Sequence, residues 1–255
     1  MSSHTDNETL QKAHFNRIAD LYHLHTSDLY STTYRSEFIV NPFLRGIDIK
    51  GRKVLDAMCG SGQVTYCLVP QGALVTGLDI SSEVIEGYRR YWPSCEAICA
   101  SIFDSGIATE SFDVVVSLGG LHHIQPDVSQ AIDEIYRILK PGGYFCFMEP
   151  HQGSLPDFFR KLWYKRDSLF EKNEEAIDLN LLEMKNKHRF EFLQTQFGGN
   201  IGYLFIYNSM TLRIPLGLKK FYGPGLLWME KRLSPFFNSP KRAFFALAQW
   251  KKKIL

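Results

Sequence analysis

Two different spacings of apolar residues alternate between residues 50 and 150. Continuous apolar runs predict buried strands, and apolar residues three or four positions apart predict amphipathic helices. The predicted strands are KVLDAM (53–58), ALVTGLDI (73–80), EAICASIF (96–103), FDVVVSLG (112–119) and YFCFME (144–149). The predicted helices lie at 62–69, 81–92 and 127–139. This alternation predicts parallel βαβ units and therefore an α/β, doubly wound, Rossmann-like sheet.

The flanking segments predict further elements around this sheet. Apolar runs at 189–197 and 201–208 lie on either side of Gly198-Gly199-Asn200, which predicts an antiparallel hairpin at the sheet edge. Several prolines follow, so we expect short terminal helices. We interpret residues 1–255 as a single domain with an N-terminal helical cover (10–40), a core (50–150), a helical insertion or lid (151–188), an edge hairpin (189–210) and C-terminal helices (211–255).

Small and polar residues follow the predicted strands. Asp56 is followed by Gly60 and Gly62, and Asp79 ends the second strand about 20 residues further on, where an acid can bind ribose hydroxyl groups. Ile102-Phe103-Asp104 follows the third strand, and LGGLHHI (118–124) follows the fourth. In an open parallel sheet, ligands bind beyond the carboxyl ends of the strands. These residues therefore predict a cofactor site at that edge.

The order of these motifs resembles a known family. VLDAMCGSG, VTGLDIS, SIFD, FDVVVSLGGLHHI and ILKPGGYFCFMEP are similar to the successive motifs of class I S-adenosylmethionine-dependent methyltransferases. FNRIADLY (15–22) is similar to the N-terminal helix of the small-molecule branch, so the resemblance covers roughly residues 12–150. It implies a seven-stranded, mostly parallel sheet whose last strand is antiparallel, and S-adenosyl-L-methionine as the cofactor.

The resemblance also implies roles for individual residues. Asp56 and Ala57 lead into a loop in which Gly60 and Gly62 face the methionine part of the cofactor. The other implied contacts are Tyr22 with the carboxylate, Asp79 with the ribose, Ile80, Ile102, Phe103 and Asp104 with the adenine, and the backbone of Leu118 with the amino-acid moiety. Met58 departs from the family pattern, which has glycine there. Its side chain either points into the core or narrows the pocket.

Three histidines are candidates for a catalytic base. A hydroxyl or amine acceptor must lose a proton before or during methyl transfer, and imidazoles commonly accept it. His122, His123 and His151 lie near the predicted mouth, and Glu149 ends a strand there. Each could instead support the pocket, and an already activated carbon acceptor would need less help from a base. We expect no metal ion.

Charge and aromatic residues concentrate near the end of the chain. Residues 1–150 carry 11 basic and 18 acidic residues, whereas residues 213–255 carry ten basic residues, one acidic residue and eight aromatic ones. This segment is interpreted as helices packed on the core, as an aromatic cover over the acceptor, or as a surface in peripheral contact with a membrane. We therefore expect a small-molecule acceptor, apolar or lipid-like, or bound to a carrier.

Other function classes stay open. The fourth-strand motif is not (Asp/Asn)-Pro-Pro-aromatic, so methylation of a flipped nucleic-acid base is not favoured, although an RNA methyltransferase is an alternative. A non-catalytic cofactor-binding protein is another. A nicotinamide oxidoreductase would need a third loop glycine where Thr65 stands.

Cysteine usage and hydropathy indicate the compartment. The five cysteines form no Cys-x-x-Cys pair, which is typical of free thiols in a reducing compartment. No apolar run approaches the roughly 20 residues that span a bilayer. We expect a cytoplasmic protein, with any membrane contact peripheral through residues 213–255.

Overall fold

A computed structural model describes residue 12 and residues 21–164 and 175–254. Its seven strands form one sheet in the order β3-β2-β1-β4-β5-β7-β6. The strands are β1 (Lys53–Ala57), β2 (Leu74–Asp79), β3 (Glu96–Cys99), β4 (Phe112–Leu118), β5 (Leu139–Pro150), β6 (Phe190–Gly198) and β7 (Phe245–Lys252). Neighbouring strands are parallel from β3 through β5, and β7 is antiparallel to both β5 and β6.

Helices cover both faces of the sheet. The α-helices are α1 (Leu29–Arg35), α2 (Asn41–Phe43), α3 (Thr65–Leu68), α4 (Ser82–Tyr91), α5 (Val128–Ile138), α6 (Leu155–Tyr164), α7 (Leu179–Asn186) and α8 (Lys219–Phe237). Short 3-10 turns lie at Val69–Gln71, Leu121–Ile124 and Leu216–Leu218, and π-helical turns at Ser36–Val40 and Tyr203–Tyr207. Ser81 caps α4, because its hydroxyl accepts the Val84 N–H. None of the helices in the described ranges is long and apolar enough to cross a membrane.

Two apolar cores lie on opposite faces of the sheet. Val115 packs with α5 on one face, whereas Val114 and Val116 pack with Tyr34 and Phe43 on the other. The valine run is therefore covered on both sides, as its sequence predicts. The chain proceeds from β1 outwards to β3 and then returns to β4 on the other side of β1. The carboxyl ends of β1 and β4 thus form the point where strand order reverses, which is where such sheets bind ligands.

The predicted edge hairpin is only half correct. Residues 190–198 form the antiparallel edge strand β6, but the segment 201–208 contains a π-helical turn, and the partner of β6 is β7. Tyr203 and Tyr207 are one turn apart, and their rings stack at 5.6 Å against the core. A continuous apolar run does not distinguish a strand from a buried helix, which explains the error. Gly199 serves packing, because a Cβ there would lie 2.9 Å from the Phe244 side chain.

The prediction of terminal helices is wrong for residues 245–252, which form the buried strand β7. Pro224 and Pro235 lie within α8 and do not interrupt it. Pro224 cannot donate to the carbonyl of Lys220, and the Tyr30 hydroxyl donates to that carbonyl instead, at 3.5 Å. The segment KPGG (140–143) also lies within β5, so that strand begins earlier than the sequence predicts.

Candidate cofactor and acceptor site

Asp56 joins the two ends of the loop between β1 and α3. Its Oδ2 accepts the backbone N–H of Thr65 at 3.1 Å and the Thr65 hydroxyl at 2.7 Å, and that hydroxyl also lies 2.8 Å from the Tyr88 hydroxyl. Burial raises the pKa of Asp56 to about 7, against the lowering effect of the Thr65 donors. The carboxyl group therefore holds the loop closed around Gly60 and Gly62.

Met58 adopts the left-handed conformation that favours glycine. Its φ is 57°, close to the 52° of Gly60, so the loop turns left-handed at both positions. The side chain packs against the apolar core on the α5 side and covers Gly120, where a Cβ would lie 2.8 Å from the Met58 sulfur. Met58 thus keeps the left-handed turn, and its side chain occupies the space beside the loop after β4.

Asp79 connects the second strand to the same loop. Its two oxygens accept the backbone N–H groups of Gly60 and Ser81, each at 3.0 Å. Burial raises the pKa of Asp79, and these N–H groups oppose the shift. A carboxylate oxygen can accept more than one hydrogen bond, so Asp79 can also receive hydroxyl donors. Acceptor oxygens of this kind suit the two hydroxyl groups of the ribose in S-adenosylmethionine.

The residues predicted to contact adenine have different environments. Ile80 and Phe103 are partly buried, and the Phe103 N–H donates to the Ser101 hydroxyl at 3.0 Å. Ile102 is only 6% exposed and belongs to the core, whereas Asp104 is exposed in the same turn. Phe103 and Ile80 are therefore better placed than Ile102 to meet a ligand. Their contacts with adenine stay a prediction.

Helical residues 21–26 cover the glycine loop. His23 Nδ1 lies 2.9 Å from the Ser61 hydroxyl, and Gln63 donates to the Thr26 hydroxyl at 3.4 Å. Arg35, which the sequence analysis missed, is buried between them and donates to the carbonyls of Thr26 and Gln63 at 2.7 and 3.3 Å. An isolated arginine in a helical stretch gave no signal of this role. Most of the segment FNRIADLY (15–22) lies outside the described residues.

Three tyrosines interact with one another and with Arg35 or Glu149. Tyr22 is on the N-terminal cover, and burial raises its pKa while Arg35 opposes that effect. Burial raises the pKa of Tyr203 to about 12, and the charges of Arg160, Tyr22 and Glu149 also act on it. Burial likewise raises the pKa of Tyr207, whose ring lies under the Arg35 guanidinium at 5.9 Å. We call Tyr22, Tyr203 and Tyr207 the tyrosine wall. Sequence analysis missed Tyr203 and Tyr207 because their run resembles a strand.

Glu149 organises the turn after β4. Its carboxylate accepts the backbone N–H groups of Leu121 and His122 at 2.8 and 3.2 Å, and it also lies 2.8 Å from His122 Nδ1. Burial raises the pKa of Glu149 to about 7, and the backbone donors oppose the shift. When Glu149 is ionised, His122 Nδ1 donates to it, so in the neutral imidazole the lone pair that can accept a proton is on Nε2.

The other two histidines differ in position. The His123 ring lies against the His122 ring, with centroids 3.9 Å apart. His151 follows β5 on the insertion side. Its ring packs against Phe197 at 4.8 Å, and its backbone N–H donates to the Phe244 carbonyl. Burial lowers the pKa of His151, which disfavours its charged form. His122 and His123 therefore form one cluster with Glu149, and His151 belongs to another part of the fold.

The strand order and the antiparallel β7 define a class I methyltransferase fold. A family model described as a methyltransferase domain matches residues 55–147, from β1 to β5. Residues 55–147 are therefore similar to a methyltransferase domain, and the chain has the fold of class I methyltransferases.

Individual relatives agree with this assignment. A malonyl-[acyl-carrier protein] O-methyltransferase of Enterobacter lignolyticus is 30% identical over 149 residues, 57% of this chain and 59% of the relative. A demethylmenaquinone methyltransferase of Staphylococcus epidermidis is 34% identical over 151 residues, 57% of this chain and 60% of the relative. The chain thus matches little more than half the length of these curated relatives. A solved S-adenosylmethionine-dependent methyltransferase of Thermotoga maritima shares the fold, with a TM-score of 0.61, 17% identity, and coverage of 94% of this chain and 99% of that one.

Proposed function

We propose that this chain is an S-adenosylmethionine-dependent methyltransferase that acts on a small apolar or carrier-bound acceptor. The observation that carries the proposal is the meeting of Asp79 and the Gly60 loop at the point where strand order reverses. Oxygen acceptors and a glycine-containing loop in such a position suit the ribose and methionine parts of the cofactor. The cover formed by residues 21–26 supports the same assignment, because it shields the loop from water.

The bound cofactor supplies an electrophilic methyl group on a sulfonium centre. In this proposal Asp79 holds the ribose, Gly60 allows close approach of the backbone, and the backbone at Leu118 meets the amino-acid part. Gly62 serves packing instead, because a Cβ there would lie 2.2 Å from the Trp92 ring nitrogen. Tyr22 and Arg35, which neighbour each other under the cover, provide a donor and a cation for a carboxylate. These groups mainly align the cofactor, since alignment supplies much of the rate in a displacement reaction.

The base in this proposal is His122, oriented by Glu149. The 2.8 Å contact at Nδ1 fixes the imidazole, and ionised Glu149 stabilises the protonated ring after it accepts a proton at Nε2. His123 and His151 remain the alternative candidates. His151 is the weaker of the two, because its contacts are with β6 and β7.

The acceptor class is inferred from two independent features. The tyrosine wall joins a larger aromatic group in which Tyr34 contacts Phe38, Tyr203 and Tyr207. Aromatic rings favour an apolar or flat acceptor. Among the relatives, one is a demethylmenaquinone methyltransferase, and another methylates a malonyl group on an acyl-carrier protein. Both support an apolar or carrier-bound acceptor.

Isothermal titration with S-adenosylmethionine tests the cofactor assignment. We expect the wild type to bind S-adenosylmethionine. Asp79→Asn should bind it about tenfold or more weakly, because the NH₂ group of asparagine cannot accept a hydrogen bond. His122→Asn is the matched control and should keep the wild-type affinity. Absence of binding by a folded wild-type protein would overturn the proposal, and equal loss in both variants would show that the effect is structural.

A further inference from the structure

We propose that helices α6 and α8 together form a surface that docks on an anionic lipid bilayer next to the acceptor site. This inference adds a partner to the proposed function and rests on exposed side chains that the cofactor site does not use. It also revises the sequence expectation for residues 213–255, because β7 is buried in the sheet and α6 joins the surface.

The outward face of α8 is apolar and basic. Phe221, Trp228 and Phe236 are 76%, 62% and 57% exposed, and their spacing of seven and eight residues places them on one side of the helix. A cation lies beside each ring: Lys220 at 5.1 Å from Phe221, Arg232 at 5.5 Å from Trp228, and Arg242 at 4.1 Å from Phe236.

The one acidic residue of this segment faces the other way. Glu230 is buried, where it accepts the Tyr34 hydroxyl at 2.7 Å and the Asn200 N–H at 3.1 Å. No acidic side chain therefore lies on the outward face of α8, while Lys231 and Arg232 are exposed there. A water-exposed helix face usually carries charges of both signs, so this face is unusual.

Helix α6 repeats the pattern. Leu155, Phe158, Phe159 and Leu162 are exposed at spacings of three, four and seven residues, which puts them on one face. Asp157, the only acid of this helix, is buried and accepts from Arg160 at 2.6 Å and Lys161 at 3.0 Å. Both helices therefore point aromatic and aliphatic side chains outwards and carboxylates inwards.

A hydrogen bond links the start of α6 to the turn after α8, and residues of both helices interact with the segment that carries the tyrosine wall. The Leu155 N–H donates to the Lys241 carbonyl at 2.9 Å, which joins the start of α6 to the turn after α8. From α8, the Tyr222 hydroxyl donates to the Phe205 carbonyl at 2.9 Å, within the π-helical turn that carries the wall. From α6, the Arg160 charge acts on Tyr203. The surface therefore borders the tyrosine wall, where the proposed function places the acceptor.

An anionic bilayer fits this chemistry better than a protein partner. Aromatic rings partition into the headgroup region, and each cation near an anionic surface adds attraction. Single exposed apolar residues are ordinary on a protein surface, but two adjoining helix faces with cations and without acids are not. A bilayer would also hold an apolar acceptor at the site.

Vesicle flotation tests the proposal. We expect the wild type to float with phosphatidylcholine vesicles that contain phosphatidylglycerol, to bind pure phosphatidylcholine vesicles much more weakly, and to lose binding as salt rises. Phe221→Ser with Trp228→Ser, and separately Lys231→Glu with Arg232→Glu, should each weaken binding about tenfold or more.

Matched controls make the same kinds of change, apolar to serine and basic to acidic, away from α6 and α8. Leu74→Ser removes an exposed side chain at the amino end of β2, and Lys50→Glu with Arg90→Glu reverses two exposed charges elsewhere. Both controls should float like the wild type. The proposal is overturned if the wild type does not bind anionic vesicles, or if test and control variants bind them equally. It is also overturned if the substitutions in the test variants instead dissociate a dimer of this chain. Titration with S-adenosylmethionine on the same samples reports separately on the proposed function.

Discussion

At the scale of single residues, Met58 shows how packing outweighs backbone strain. A non-glycine residue in the left-handed region costs about 1–2 kcal/mol. The contact of the Met58 side chain with Gly120 and the core compensates for that cost, since burying most of such a side chain is worth about as much. The sequence alone left two orientations open, and the structure places the side chain against the core beside the loop after β4.

Comparing Met58→Gly with Met58→Ala separates strain from packing. Both variants lose the side-chain contact, but only glycine relieves the strain. We expect Met58→Gly to be more stable than Met58→Ala by about 1 kcal/mol, the reverse of the usual order for these residues. Urea unfolding measures the difference. If Met58→Ala were the more stable variant, the left-handed backbone at this position would be wrong.

Glu230 predicts a pH dependence of stability. Burial raises its pKa from 4.5 to about 7, so between these values the folded protein holds a proton that the unfolded chain has released. The contribution of this group to stability is therefore present at low pH and is lost as the pH rises towards 7. In the wild type this group lowers the free energy of unfolding by up to about 1.4 kcal/mol for each pH unit between these values. Glu230→Gln should abolish that part of the pH dependence. Urea unfolding from pH 5 to 7 measures it, with exposed Glu37→Gln as the control. A slope that does not change would contradict a buried, protonated Glu230.

At the scale of elements, local patterns predict the parallel strands well and the antiparallel edge poorly. β1, β2 and β4 begin and end within about a residue or two of their predictions, because each is a buried run between turn residues. β7 is different: FALAQWKK (245–252) is a strand because it fits between β5 and β6, with Trp250 against Phe145 and Phe147. Such a pairing depends on contacts distant in sequence, which local patterns do not contain.

The central place of β7 is tested by truncating one side chain. Trp250 is fully buried between aromatic rings of β5 and β6. Trp250→Ala should destabilise the protein by about 3–5 kcal/mol in urea unfolding. Ile254→Ala lies just beyond the same strand, is 77% exposed, and should change stability by less than about 0.5 kcal/mol. Similar small effects of both changes would mean that residues 245–252 lie outside the sheet.

At the scale of the whole molecule, the two halves of the candidate site differ in how far the sequence predicts them. The cofactor side consists of short motifs at strand ends, so Asp56, Gly60 and Asp79 could be named from local sequence. The proposed acceptor side combines residues 21–26, the turn Tyr203–Tyr207 and helix α6, which are far apart along the chain. No local sequence motif predicts that these segments come together, so Arg35, Tyr203 and Tyr207 are identified only from the fold.

The central claim is that this chain transfers a methyl group from S-adenosylmethionine to an apolar or carrier-bound acceptor. The most direct measurement incubates purified protein with methyl-labelled S-adenosylmethionine and a cell extract separated into lipid, protein and small aqueous fractions. We predict label in the lipid or carrier-protein fraction with the wild type, none above background with Asp79→Asn, and slower labelling with His122→Asn. Label confined to RNA would contradict the proposed acceptor. Absence of label in every fraction, from a wild type that binds the cofactor, would indicate a non-catalytic binding protein.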